Sequence, residues 1–256
     1  MLALKLLLVP AFLLLVTLAG KRWGAAVAGW LAGLPVVAGP ILFFLAVEHG
    51  AAFASSAAAL SLSAVLASVA FSVAYSHAAH RLPWMASLVL GLCAWAAAVF
   101  VLSALTVSAA WALVISVITL LAAPRLFPAA RVQTGGRTVS TVELVCRMLA
   151  GASLTLFVTW VASSVGPAWS GLLAVFPILG IVLAVFSHRS QGSAFAAALL
   201  RAMATGLYSF VAFCFVLSVA LPPLGVAAAF MLATLATLTV QAGSLRRMAR
   251  LRTHKA

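Results

Sequence analysis

Glu48 and Glu143 are the only carboxylates among the side chains of this 256-residue chain, which has no Asp. General acid–base chemistry and carboxylate-held metals therefore have almost nothing to work with. The sequence holds no Gly-rich phosphate loop, no His-Glu-x-x-His and no acid pair. No nucleophile motif supports Ser–His chemistry. Cys93, Cys146 and Cys214 lie far apart inside apolar runs. They offer neither a ligand spacing nor a disulfide framework and read as packing residues. An enzyme is not expected, and neither is a catalytic residue, a metal or a cofactor.

The chain offers instead interrupted backbone and isolated charge. Gly33-Leu34-Pro35 and Gly39-Pro40 fall in the middle of an apolar run, and Phe176-Pro177 with Gly180 repeat the pattern more weakly. Proline lacks an N–H and clashes with the carbonyl four residues back, so these helices should kink or unwind. Broken helices at matching places in two halves present free N–H groups and positive dipole ends to a substrate anion. Pro35, Gly39, Pro40, Pro177 and Gly180 are accordingly candidate substrate-binding positions. The plainer alternative is a kink packed against small neighbours.

Arg201 is the sixth candidate. It lies nine residues past Gly192, roughly 13 Å along a helix. A charge at bilayer depth is costly and marks function unless the long side chain reaches the headgroups. Glu48-His49 could pass a proton near neutral pH, although an outer polar turn explains the pair as well. Glu143 and Arg147, four apart, suit a local helix ion pair near the interface. His77, His80 and Arg81 read as a headgroup-level cluster rather than a metal site. Ser55, Ser56, Ser61, Ser63, Ser68 and Ser72 allow either close helix approach or a polar path.

The elements that carry these residues follow from composition. The chain is 66% apolar and 7% charged, against about 45–50% and about 25% in soluble domains. A water-soluble fold and a disordered chain are both excluded. Continuous rather than alternating apolar runs exclude an outer-membrane barrel. The expected fold is an all-α polytopic membrane protein. Spans of about 20 residues are expected near 3–19, 24–47, 51–76, 82–103, 106–123, 142–164, 167–187, 194–220 and 223–243. The first has a partner later in the chain, which argues against a signal peptide.

Lys and Arg between the runs set the direction. With the N-terminus outside and the C-terminus inside, twelve of the 15 basic residues fall on the cytoplasmic side: Lys21, Arg22, Arg81, Arg125, Arg131, Arg137, Arg189, Arg246, Arg247, Arg250, Arg252 and Lys255. Only Lys5 is outside. The net charge of +13 is thus stop-transfer charge, not a nucleic-acid footprint. The expected location is the bacterial cytoplasmic (inner) membrane, with membrane lipids as partners and anionic headgroups at the basic tail. Homo-oligomerisation is left open, and no nucleic-acid partner is expected.

Self-comparison at an offset of 142 residues aligns Gly24 with Gly166, Gly29 with Gly171, Pro35 with Pro177, Phe44 with Phe186 and Gly50 with Gly192. Ala52-Phe53-Ala54 falls on Ala194-Phe195-Ala196, and Val69-Ala70-Phe71 on Val211-Ala212-Phe213. Val16-Thr17 falls on Val158-Thr159. The expected organisation is repeat 1 at 1–104, a connecting helix at 105–123, a cytoplasmic linker at 124–141, repeat 2 at 142–245 and a basic tail at 246–256. Equivalent starts are five spans apart, so the two four-helix repeats are inverted with respect to each other.

Pro35 followed by Glu48-His49-Gly50 resembles the small four-span GlpM-type bacterial membrane proteins. Those carry a Phe-Pro in an apolar run and then Glu-x-Gly. The second half resembles them through Phe176-Pro177 and Gly192, with Ser190 in place of the acid. The resemblance covers roughly 24–76 and 166–218. It implies a fused, doubled four-span module and a link to envelope polysaccharide production, without a defined activity.

Two functions follow as expectations. One is a secondary transporter or flippase, alternating between inverted repeats, for an anionic small molecule or a lipid phosphate. The other is a non-transporting accessory subunit of an envelope polysaccharide synthesis complex. A cavity between the broken helices favours the first, and a closed midplane favours the second.

Overall fold

The computed structural model describes residues 2–104, 108–128, 140–164 and 176–253, with side chains described except at 2–5, 162–164 and 245–253. Lys5, Arg131, Arg137 and the basic side chains of the tail lie outside that description. The described elements are all helical: α1 (Leu2–Trp23), α2 (Ala25–Ala32), α3 (Ala38–His49), α4 (Ala51–Ser63), α5 (Val65–Ala79), α6 (Trp84–Ser103), α7 (Ala109–Leu126), α8 (Thr141–Ser164), α9 (Ile178–Gln191) and α10 (Ser193–Thr253). Six helices among the described residues are long and apolar enough to cross a bilayer by length and composition. Large apolar side chains cover the outside: Phe100 is 72% exposed, Trp160 68% and Trp111 66%. Such a surface would drive aggregation in water and suits lipid. These are the features of a helical membrane protein, in which backbone polar groups are satisfied within each helix.

Glycine and proline set the corners. Gly50 separates α3 from α4 with φ 89° and ψ 164°, and Gly192 separates α9 from α10 with φ 91° and ψ 167°. That backbone region belongs essentially to glycine. Gly225 breaks α10 internally at φ 74°, ψ 176°, just after Pro222-Pro223. The expected interruption at Pro35 is present: α2 stops at Ala32 and α3 begins at Ala38. Leu34 N–H turns back to the Leu31 carbonyl (3.0 Å), and Gly39 N–H restarts the ladder on the Pro35 carbonyl (2.7 Å). Pro177 caps the start of α9, where Ile181 N–H bonds its carbonyl at 2.9 Å. Residues 165–175 of the expected seventh span lie outside the description.

Packing relies on small residues. A Cβ at Gly29 would overlap the Leu199 carbonyl, and one at Gly33 would overlap the Gly206 backbone. α2 and α10 thus touch backbone to backbone through a small-xxx-small pair. Two aromatic rings cross between the sequence halves. The Phe71 ring lies 3.6 Å from where a Cβ would stand on Gly180, and the Phe213 ring lies 3.4 Å from the same point on Gly39. α1 and α8 pack together with Leu13 and Val9 against Gly151.

Side-chain bonds gather the helix ends that carry basic residues. His77 Nε2 meets the Leu126 carbonyl (2.8 Å), joining the ends of α5 and α7. Tyr75 and His188 meet at 3.2 Å, joining α5 to the end of α9. Arg189 lies over the Trp84 ring at the start of α6, 5.3 Å from its centroid. Arg81, Arg125 and Arg189 therefore share one end of the bundle.

Candidate functional site

A cavity of about 430 Å³ lies where the helices are interrupted. The α2–α3 break, the α4–α5 junction, the start of α9 and the first third of α10 (Met203, Leu207 and Phe210) surround it, with Val9 of α1 and Thr155, Val158 and Thr159 of α8. Its volume is within the range of small-molecule sites, about 300–1,000 Å³. Much of its lining pairs across the chain at the 142-residue offset: Leu34 with Phe176, Val37 with Leu179, Ala38 with Gly180, Ser61 with Met203, Val65 with Leu207 and Ser68 with Phe210.

The described lining is apolar apart from four hydroxyls, and none of its side chains is charged. Membrane serines and threonines usually donate to the carbonyl four residues back. Ser61 does so to Ala57 (2.9 Å) and Thr155 to Gly151 (2.7 Å). Outside the cavity Ser72, Ser76 and Ser116 do the same. The Ser68 and Thr159 hydroxyls, both half-buried on the cavity wall, make no such bond. Next to the cavity the Trp95 ring stands edge-on to Phe176 at 5.1 Å, and its buried indole N–H has no acceptor.

The six candidate binding residues separate. Pro177 and Gly180 line the cavity. Pro35 is buried within the α2–α3 break, and Gly39 is buried against Phe213 just beyond it. Pro40 follows one residue outward, half-buried. Arg201 does not join them. Its side chain is exposed and donates to the Pro124 carbonyl (3.2 Å) at the end of α7. With His77 on the Leu126 carbonyl, it satisfies acceptors that a helix C-terminus leaves open. Glu48 and His49 are exposed at the Gly50 corner, away from the cavity, with His49 stacked on Phe53 at 5.0 Å.

Arg147 has a larger role than a local interface pair. It is 2% exposed and, among the described residues, the largest fully buried side chain. Its Nε and one terminal nitrogen donate to Glu143 Oε1 at 3.1 and 2.6 Å. The guanidinium also reaches Thr17 of α1 and Ser190 of α9, each at 3.4 Å, and lies over the Phe186 ring. One ion pair thus ties three helices. The i,i+4 spacing revealed the pair, but nothing local in the sequence marked its burial.

The cysteines also differ from expectation. Cys214 is buried and packs, whereas Cys93 and Cys146 are exposed on lipid-type surface. Among the described residues, no three His, Cys, Asp or Glu side chains cluster as a metal site. The serines of α4 and α5 divide between both expected roles: Ser55 donates across to the Ser218 carbonyl (2.7 Å), while Ser61 and Ser68 face the cavity.

Comparison with known proteins finds no matching family model, no matching curated protein and no matching solved structure. The GlpM-type resemblance is carried by its own short motifs alone.

Proposed function

We propose that this protein is an inner-membrane secondary transporter or flippase, in which two inverted four-helix repeats, joined by α7, alternate access to the central cavity. The carrying observation is that the cavity is lined by residues in corresponding positions of the two halves. A site at the interface of inverted repeats, beside interrupted helices, is the plan of many secondary transporters.

Other features support the same reading. The apolar stretch Ser193–Ser244 has 52 residues, about 78 Å as one straight helix, far more than a bilayer core of about 30 Å. Two crossings that meet at Gly225 resolve the excess. Taking α2 with α3 and α4 with α5 as single crossings, and adding the α9 crossing, gives nine. The shared end of Arg81, Arg125 and Arg189 suits the cytoplasmic side, with the basic tail on anionic headgroups.

Alternating access also requires the two halves to differ in conformation at any instant. Leu13, Val16 and Thr17 are 0%, 0% and 3% exposed, packed at the end held by Arg147. Their counterparts Thr155, Val158 and Thr159 line the cavity. The expectation of an anionic substrate rested on the interrupted-helix N-termini and on Arg201, and the position of Arg201 outside the cavity removes the second support. The accessory-subunit reading calls for a closed midplane, and a cavity of this size weighs against it.

The test uses single cysteines in a background lacking Cys93, Cys146 and Cys214. Cysteines at Gly50 and Gly192 should be reached by a membrane-impermeant thiol reagent from opposite sides. One at Thr159 should react from the outside. Labelling of Gly50 and Gly192 positions from the same side would remove the inverted repeat. An inert Thr159 position would point to the accessory role.

A further inference from the structure

We infer that the cavity receives an uncharged, largely apolar molecule, with the Ser68 and Thr159 hydroxyls as its hydrogen-bonding points. The inference rests on the transport reading and narrows its substrate class.

Charge is the first argument. None of the described lining side chains is ionisable, and residues 165–175, adjacent in sequence, contain no Lys, Arg, His, Asp or Glu. The two arginines within spans are already committed, Arg147 to Glu143 and Arg201 to the Pro124 carbonyl. A phosphate or carboxylate entering here would lose its water without gaining a counter-ion, which low-dielectric surroundings penalise heavily. The start of α9 beside Pro177 supplies only a partial positive charge. That is enough to favour an ester carbonyl or hydroxyl oxygen but not to replace the hydration of a full anion.

The second argument comes from hydrogen bonding. Ser61 and Thr155 satisfy their protons on their own helices. Ser68 and Thr159 do not, although carbonyls four residues back are the usual partners in an apolar medium. Both line the cavity, Ser68 from α5 and Thr159 from α8. Free hydroxyls on an otherwise apolar surface match a molecule whose polar groups are few, small and uncharged. A membrane-derived neutral amphiphile and a water-borne apolar alcohol share this chemistry, and the bulk of the apolar lining fits either.

The test is photolabelling of the full-length protein in nanodiscs of phosphatidylethanolamine and phosphatidylglycerol. Three diazirine probes are compared: a long-chain alcohol, the long-chain phosphate with the same tail, and a short water-soluble alcohol. Labelled peptides are mapped by mass spectrometry. The long-chain alcohol should label segments 61–68, 155–159 and 203–210. The double variant Ser68→Ala/Thr159→Val should lower that labelling about three- to tenfold at unchanged melting temperature. Ala64→Trp, which fills the cavity, should abolish it. Preferential labelling by the short alcohol identifies the water-borne source and retains the inference. Equal or stronger cavity labelling by the phosphate probe overturns the uncharged class while leaving the cavity as a site. Absence of cavity labelling by all three probes removes the site itself, and with it the transport reading.

Discussion

Gly50 and Gly192, 142 residues apart, turn the chain with the same torsions, φ 89° and 91° with ψ 164° and 167°. Nothing lies within 4 Å of the point where a Cβ would stand on either. Any cost of adding that carbon therefore comes from the backbone alone. Gly50→Ala and Gly192→Ala should each lower stability by about 1–3 kcal/mol, and by similar amounts. Thermal unfolding in detergent measures both. A neutral Gly192→Ala beside a costly Gly50→Ala would show that the two corners are not equivalent.

The Arg147 cluster gives a prediction with an internal control. Glu143→Ala leaves a buried guanidinium with only two long hydroxyl contacts. Removing one partner of a buried pair costs about 3–5 kcal/mol, and the lower end applies because the Glu143 side chain is 19% exposed. Glu143→Ala/Arg147→Met removes the stranded charge and should recover most of the loss. Melting temperatures of the single and double variants decide it. A double variant less stable than Glu143→Ala would mean that the guanidinium contributes through packing on Phe186 instead.

Arg201→Ala should leave photolabelling of the cavity unchanged. It removes one exposed hydrogen bond to the α7 terminus, a loss of about 1 kcal/mol. A several-fold drop in cavity labelling at unchanged melting temperature would return Arg201 to the site.

The sequence marks some of these features better than others, for physical reasons. The helix break at Pro35 and the helix start at Pro177 are legible because a missing N–H acts locally, whatever surrounds it. The α3–α4 and α9–α10 corners are legible through the matched spacing of Gly50 and Gly192. Gly29 and Gly33 already stand in small-xxx-small spacing, yet only the folded chain reveals that they meet Leu199 and Gly206. Burial of Arg147 depends on Thr17 and Ser190, which are 130 and 43 residues away. Arg201 looks deep when counted along its helix. A long side chain, however, can carry its charge away from its Cα, here to the Pro124 carbonyl. The Ser68 and Thr159 hydroxyls stand out only because their neighbours' hydrogen bonds can be traced.

Phe71 fills space beside Gly180, and Phe213 fills space beside Gly39. Each half of the chain therefore supplies the plug for a hollow in the other. Phe71 also rests on Gly91 of its own half, so a half synthesised alone would keep part of its ring's packing but leave a glycine hollow of its own unfilled. Co-expressed fragments divided in the segment after α7 should accordingly depend on each other to escape degradation, so that division of the gene yields two obligate partners and not two working modules.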